Sequence, residues 1–344
     1  MRSARPVGLL LSAAAVVLWA YGMTRWQPLT EPLGPWSERL PGNNAYWARD
    51  LRFMAIMAVP LGLVLAGRGQ RRWGGPAVVL GGCWIAADVV VDRADPIGVR
   101  ATVLLAVAGC AVLGALAGML WWRERGAQPA WDYDRQSTGE RGTPSAAARR
   151  VLTGAACVAG VLTLVAAGME SPTDREPELN QGALVTAALL VALAVGAALA
   201  AAPARTGARV GLAAGLTVAA LLGVGLVRAA APGERFLPEV GLGAVLLTGV
   251  TLLAWDWPGG RPVWRHHALA ALIALVGPVV FLVATAVPMM LMLPIGATFT
   301  SLAGNSPINA ADSDVLVSLV GLIAGLGVAV LLARPSVEDR RRLS

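Results

Sequence analysis

Apolar residues gather in ten stretches, at about 7–24, 53–67, 75–91, 101–122, 151–169, 182–202, 210–227, 240–255, 268–287 and 315–333. Asp88 is the one charged residue inside any of them. A bilayer core about 30 Å thick takes about 20 residues of helix, and within it every peptide group needs a partner in its own segment. The pattern therefore predicts an all-α, polytopic transmembrane helix bundle of about ten spans. No strand alternation competes with it.

The polar connections orient the bundle. Of the 28 basic residues, 19 fall in the termini and the even-numbered connections and 9 in the odd-numbered ones, whereas the acids run 7 against 13. Arginine retained on the cytoplasmic side predicts that both termini are inside. Tryptophan favours the headgroup level. Trp73, Trp121, Trp122, Trp255 and Trp257 mark the inner level on this reading, and Trp19, Trp26 and Trp47 the outer one. Trp84 departs from the pattern, near the middle of span three.

The connections also divide the chain. Residues 1–122 form a four-span N-terminal membrane part and residues 151–333 a six-span C-terminal part. Between them, 123–150 is rich in Gly, Arg, Ser and acids without sustained apolar periodicity, which predicts a flexible cytoplasmic linker. Residues 334–344 form a basic cytoplasmic tail. The first apolar run ends at Ala20-Tyr21-Gly22, a passable cleavage sequence, but its roughly 18 residues exceed the 7 to 15 of a signal core. An uncleaved first helix is expected.

Composition narrows the chemistry. The chain has 344 residues, is 56% hydrophobic and 14% charged, and has a mean hydropathy of +0.63. Its net charge of +7 sits beside apolar spans, so it argues for membrane topology and against a nucleic-acid partner. All the basic residues are arginine. Without lysine there is no P-loop, no Schiff-base amine and no Ser-Lys nucleophile, so ATP coupling would have to come from another subunit. Cys83, Cys110 and Cys157 lie on three different spans with no Cys-x-x-Cys pair and read as packing residues. The two histidines, His266 and His267, are neighbours that point about 100° apart on a helix, which excludes paired haem ligation. Met289, Met290 and Met292 read as packing or lipid-facing residues, and the Asp312/Asp314 region lacks EF-hand spacing. No metal and no cofactor is expected.

Asp88 is the leading candidate for chemistry, with Trp84 one turn away and Asp92 and Asp95 just beyond. A carboxylate within a membrane helix usually faces other helices or water, and it can serve as a proton or cation site in transport. The plainer account is a shallow, wetted aspartate paired with Arg93, Arg100 or Arg228. Arg228 is the expected partner, because it flanks the outer turn between spans seven and eight at similar depth. Pro60 in span two and Pro278 in span nine are candidate kinks. The Gly-x-x-x-Gly steps at Gly114/Gly118, Gly211/Gly215 and Gly321/Gly325 are expected to support tight packing within the chain.

Two functional classes follow. The first is a transporter or permease component for a hydrophobic or undetermined small solute, since so apolar an interior suits hydrophobic cargo. The second is a non-transporting assembly or accessory protein that packs against partner subunits. An enzyme ranks below both, for want of a nucleophile and base pair; Asp256 with His266 and His267 is the one grouping to nominate. The expected partners are the lipid bilayer and a partner membrane subunit or separate ATPase, in a bacterial plasma membrane.

Overall fold

The computed structural model describes residues 4–30, 45–126, 144–169, 176–231, 234–265, 267–268 and 271–272. Among these residues all regular structure is helical. Helix α1 (Ala4–Tyr21) continues through a π turn (Gly22–Trp26) into the short α2 (Gln27–Thr30). There follow α3 (Ala45–Ala66), α4 (Arg71–Asp92), α5 (Val99–Gly126), α6 (Ala146–Gly168), α7 (Glu176–Ala201), α8 (Gly207–Ala229) and α9 (Phe236–Ala254). Seven of these helices are long and apolar enough to cross a membrane. The eight long helices match the first eight apolar stretches in order. The expected spans 268–287 and 315–333, Pro278, Gly321, Gly325 and most of the 123–150 linker lie outside the described residues.

Helix α3 departs most from expectation. The stretch 53–67 is too short to span, whereas α3 has 22 residues and reaches about 33 Å. The difference is an N-terminal extension that carries Arg49, Asp50 and Arg52 into the bundle, where they are 4%, 0% and 0% exposed. Asp88 is thus one member of a group of buried charges.

Packing centres on α3 and α7. The former contacts α1, α4, α6 and α7, and the latter contacts α1, α3, α6, α8 and α9. Extensive contact between α1 and α3 rests on small residues. A Cβ on Gly8 would collide with the backbone of Gly62 and Ala66, and a Cβ on Gly62 with the Ser12 hydroxyl and the Gly8 carbonyl. The Ser12 hydroxyl donates to the Val59 carbonyl at 2.9 Å, beside Pro60. This is the close approach that small residues spaced four apart allow between membrane helices. The expected glycine steps behave otherwise: nothing lies within 4 Å of a Cβ built on Gly114, Gly118, Gly211 or Gly215. They sit on the outward faces of α5 and α8, among exposed residues such as Val107, Val112, Leu222 and Leu226. The glycine spacing alone therefore did not identify the buried contact.

Three buried arginines, Arg209, Arg228 and Arg235, and the partly exposed Arg149 close the helix ends. The last carbonyls of a helix lack intrahelical partners and carry partial negative charge, and guanidinium offers five donors to them. Arg149 donates to the carbonyls of Ala201 at 3.2 Å and Ala254 at 3.1 Å. Arg209 donates to Leu253 and Trp255, both at 2.8 Å, and stacks over the Trp257 ring at 4.5 Å. At the opposite end Arg228 and Arg235 both donate to the Met169 carbonyl, at 2.6 and 2.8 Å.

Candidate functional site

The buried charges converge where the C-terminal ends of α1 and α4 meet the N-terminal end of α3. Asp88 and Asp92 are four residues apart on α4 and therefore share a face. Arg52 reaches both, with Nη2 at 3.1 Å from Asp88 Oδ2 and Nη1 at 3.2 Å from Asp92 Oδ1. Arg49 Nη2 lies 4.0 Å from Asp92 Oδ2. From α1, the Trp19 indole donates to Asp88 Oδ1 at 2.7 Å. From α2, the Gln27 amide donates to Asp92 Oδ1 at 2.5 Å. Asp88 is 1% exposed, Asp92, Gln27 and Trp19 each 4%.

The π turn allows one strand of chain to serve both carboxylates. Residues eight apart on an uninterrupted α-helix are rotated by about 80°. A wider i→i+5 turn between them restores Trp19 and Gln27 to nearly one face. Gly22 in that turn lies against the Arg52 stem, where a Cβ would sit 2.8 Å from Arg52 Cγ. The next layer out is uncharged: Thr24 Oγ1 meets Thr102 Oγ1 at 2.5 Å and donates to the Ala20 carbonyl, joining α5 to the same end.

Arg228 is not Asp88's partner. It donates to Asn180 Oδ1 at 2.7 Å and to the Met169 carbonyl, because it ends α8 beside the unpaired carbonyls of α6. Trp84 is buried and packs edge-on against Trp19, with centroids 5.5 Å apart, so it walls the site without bonding to Asp88. Trp19 itself is buried within the bundle, against the carboxylate. Asp256 pairs with Arg149 at 3.1 Å, while His267 Nδ1 lies 3.2 Å from Thr251, so these two members of the nominated grouping have different partners; His266 lies outside the described residues. Among the described residues no three His, Cys, Asp or Glu side chains are arranged to hold a metal ion.

Arg52, Arg49 and Gln27 were missed because they precede or follow an apolar stretch. Their signal was present in the spacing: Asp88 and Asp92 one turn apart, and Arg49 and Arg52 one turn apart, on consecutive helices. In the turn beyond α4, burial and then neighbouring Asp92 push the Asp95 carboxyl above its ordinary range.

An apolar groove of about 700 Å³ opens beside this cluster, between α1 and α7. Val17, Leu18 and Tyr21 line one side and Leu184, Val185 and Leu189 the other. Trp26 lines its end and also touches the α7 backbone, where a Cβ on Gly182 would lie 3.1 Å from its ring.

No protein-family model, no curated protein and no solved structure matches the chain. The length and composition of the seven apolar helices define the class as a multi-pass helical membrane protein.

Proposed function

We propose that this protein is a transporter or permease component for a hydrophobic small solute, with Asp88, Arg52 and Asp92 as its proton- or cation-responsive element. The observation that supports the reading is the sharing of one fully buried guanidinium by two carboxylates on another helix. Ionised groups inside membrane helices are costly and concentrate on ion and substrate pathways. A proton on either carboxylate would release one arm of Arg52 and loosen α4 from α3, giving an ionic contact two arrangements. Trp84 and Trp19 exclude water from it. Arg228 takes no part.

The same reading gives ten spans with both termini in the cytoplasm of a bacterial plasma membrane. Residues 123–150 link the 1–122 and 151–333 membrane parts, and 334–344 form a basic tail. Energy comes from the proton or cation itself, or from a separate ATPase or partner membrane subunit.

Reconstitution tests this. Proteoliposomes are loaded with a hydrophobic fluorescent cation, a hydrophobic fluorescent anion or a fluorescent phospholipid, and movement is followed under a pH gradient. At least one probe should move faster than in empty vesicles, and the excess should be lost in Asp88→Asn protein that melts as a folded species. Rates equal to empty vesicles for every probe would overturn the reading.

The accessory role has its own supporting observation, the open glycine faces of α5 and α8, onto which a partner helix can pack closely. It predicts a stoichiometric membrane partner that co-purifies with the native protein and is released by Gly114→Leu.

A further inference from the structure

We infer that the groove between α1 and α7 holds an acyl chain of an anionic phospholipid, with Arg25 taking the headgroup charge. The inference deepens the transport reading by naming a class of solute, and it rests on that reading only for the step of movement.

The groove has the polarity of an amphiphile. Its sides are Val17, Leu18, Leu184 and Val185, with Val17 and Val185 about half exposed on the bundle perimeter. Its end beside the charge cluster carries the polar groups Tyr21 and Gln181 together with Trp26. Tyr21 and Trp26 are five residues apart, which on an α-helix would separate them by about 140°. The π turn brings them together instead, edge to face at 5.3 Å. An aromatic pair with polar tips suits the headgroup boundary, where such rings prefer to sit.

Arg25 supplies the charge complementarity. It belongs to the same π turn, between the two groove-lining aromatics, and its side chain is exposed. Among the described residues it has no ion pair, in contrast to Arg49 and Arg52 behind it. Arg25 does not line the trough itself, but an exposed guanidinium one residue before Trp26, at the trough's polar end, fits a phosphate-bearing headgroup, which it can bind by two parallel hydrogen bonds.

The dimensions agree. From Gln181 to Leu189 α7 rises about 12 Å, and a single leaflet of hydrocarbon is about 15 Å deep. The volume of about 700 Å³ lies within the range of small-molecule sites. The trough therefore takes most of one leaflet's depth of a single chain.

The test uses the full chain in phosphatidylcholine nanodiscs doped with phosphatidylglycerol or phosphatidylcholine bearing a diazirine in one acyl chain, followed by photolysis and peptide mass spectrometry. Label should concentrate on residues 14–18 and 184–189 over the outward face of α5, with about a fivefold preference for the phosphatidylglycerol probe, the effect of one arginine beside an anionic lipid. Val185→Trp, a change at an exposed position, should fill the trough and remove most of that label, whereas Leu104→Trp on α5 should not. Arg25→Gln should keep chain labelling but abolish the headgroup preference. Label spread evenly over α5 and the groove, or a groove signal indifferent to Val185→Trp, would overturn the site. Groove labelling without movement of any probe in vesicles removes the transport reading and leaves the site standing; movement without groove labelling does the reverse.

Discussion

Arg52 and Asp88 meet at 3.1 Å with side chains 0% and 2% exposed, one on α3 and the other on α4. Neither residue is near the other in sequence, and neither has water to fall back on. Asp92 gives Arg52 a second carboxylate, and α1 and α2 give each carboxylate a neutral donor. The cluster is thereby a four-segment junction as well as a charged site.

Desolvation sets the size of the expected effect. Removing one member of a buried ion pair leaves an uncompensated charge and costs about 3 to 5 kcal/mol, where an exposed pair would cost under about 1 kcal/mol. Arg52→Met should therefore lower stability in detergent by about 3 to 5 kcal/mol. Arg52→Lys should fall between, because an ammonium lacks the planar fork that reaches two carboxylates. The Arg52→Met/Asp88→Leu double variant should lose less than the sum of the singles, since Asp92 keeps Gln27 and Arg49. Thermal unfolding of the parent, these three variants and Asp88→Leu alone checks this, and a loss under about 1 kcal/mol in Arg52→Met would mean that water enters the cluster.

Asp95 gives stability a dependence on pH. It lies in the turn after α4, outside the membrane-spanning segment, and its carboxyl is pushed up by burial and by Asp92. A raised carboxyl binds its proton more tightly when folded, so its stabilising contribution is present below the unfolded value and is lost as pH rises through the folded one. Asp95→Asn should therefore melt higher than the parent at neutral pH and equal to it near pH 3. Asparagine also suits the backbone there, where φ is +46°, a left-handed conformation that Asn and Asp tolerate better than most residues. Melting curves across that pH range that run parallel would show that the carboxyl is unshifted.

How far the sequence led differs by element. The order and approximate limits of α1 and α4–α9 were legible, because a charge-free apolar run of bilayer length has few other solutions. The start of α3 was not. Judged residue by residue, Arg49, Asp50 and Arg52 bound an apolar stretch, and it is the pairing of Arg49 and Arg52 with Asp88 and Asp92 on another helix that makes burial of the two arginines tolerable. Asp88, the one charge inside an apolar stretch, is buried in the bundle, but its partner was taken from depth alone, and depth does not report which helices are neighbours. The π turn left no local signature; its consequences appear in Trp19, Gln27, Tyr21 and Trp26, which it brings to their respective faces.

The glycines provide a test of which helix contacts are close. Counted by spacing, Gly114/Gly118 looks like a contact step and Gly8 with Ser12 does not, yet the structure reverses their roles. Gly62→Ala places a methyl group against the Ser12 hydroxyl and the Gly8 carbonyl, and neither a helix backbone nor a buried hydroxyl bonded to Val59 can yield without moving α1 from α3. Overpacking of this kind costs about 1 to 3 kcal/mol. Gly114→Ala meets open space and replaces a flexible helical residue by the best helix former, a gain of up to about 1 kcal/mol. Moving α1 also draws Trp19 from Asp88, so Gly62→Ala should weaken the ionic junction and reduce the separate penalty of Asp88→Asn. A thermal-melt cycle over Gly62→Ala, Asp88→Asn and their combination reads that coupling, with Gly114→Ala as the uncoupled comparison. Strict additivity at Gly62 would show that the α1–α3 contact and the charged cluster are held independently.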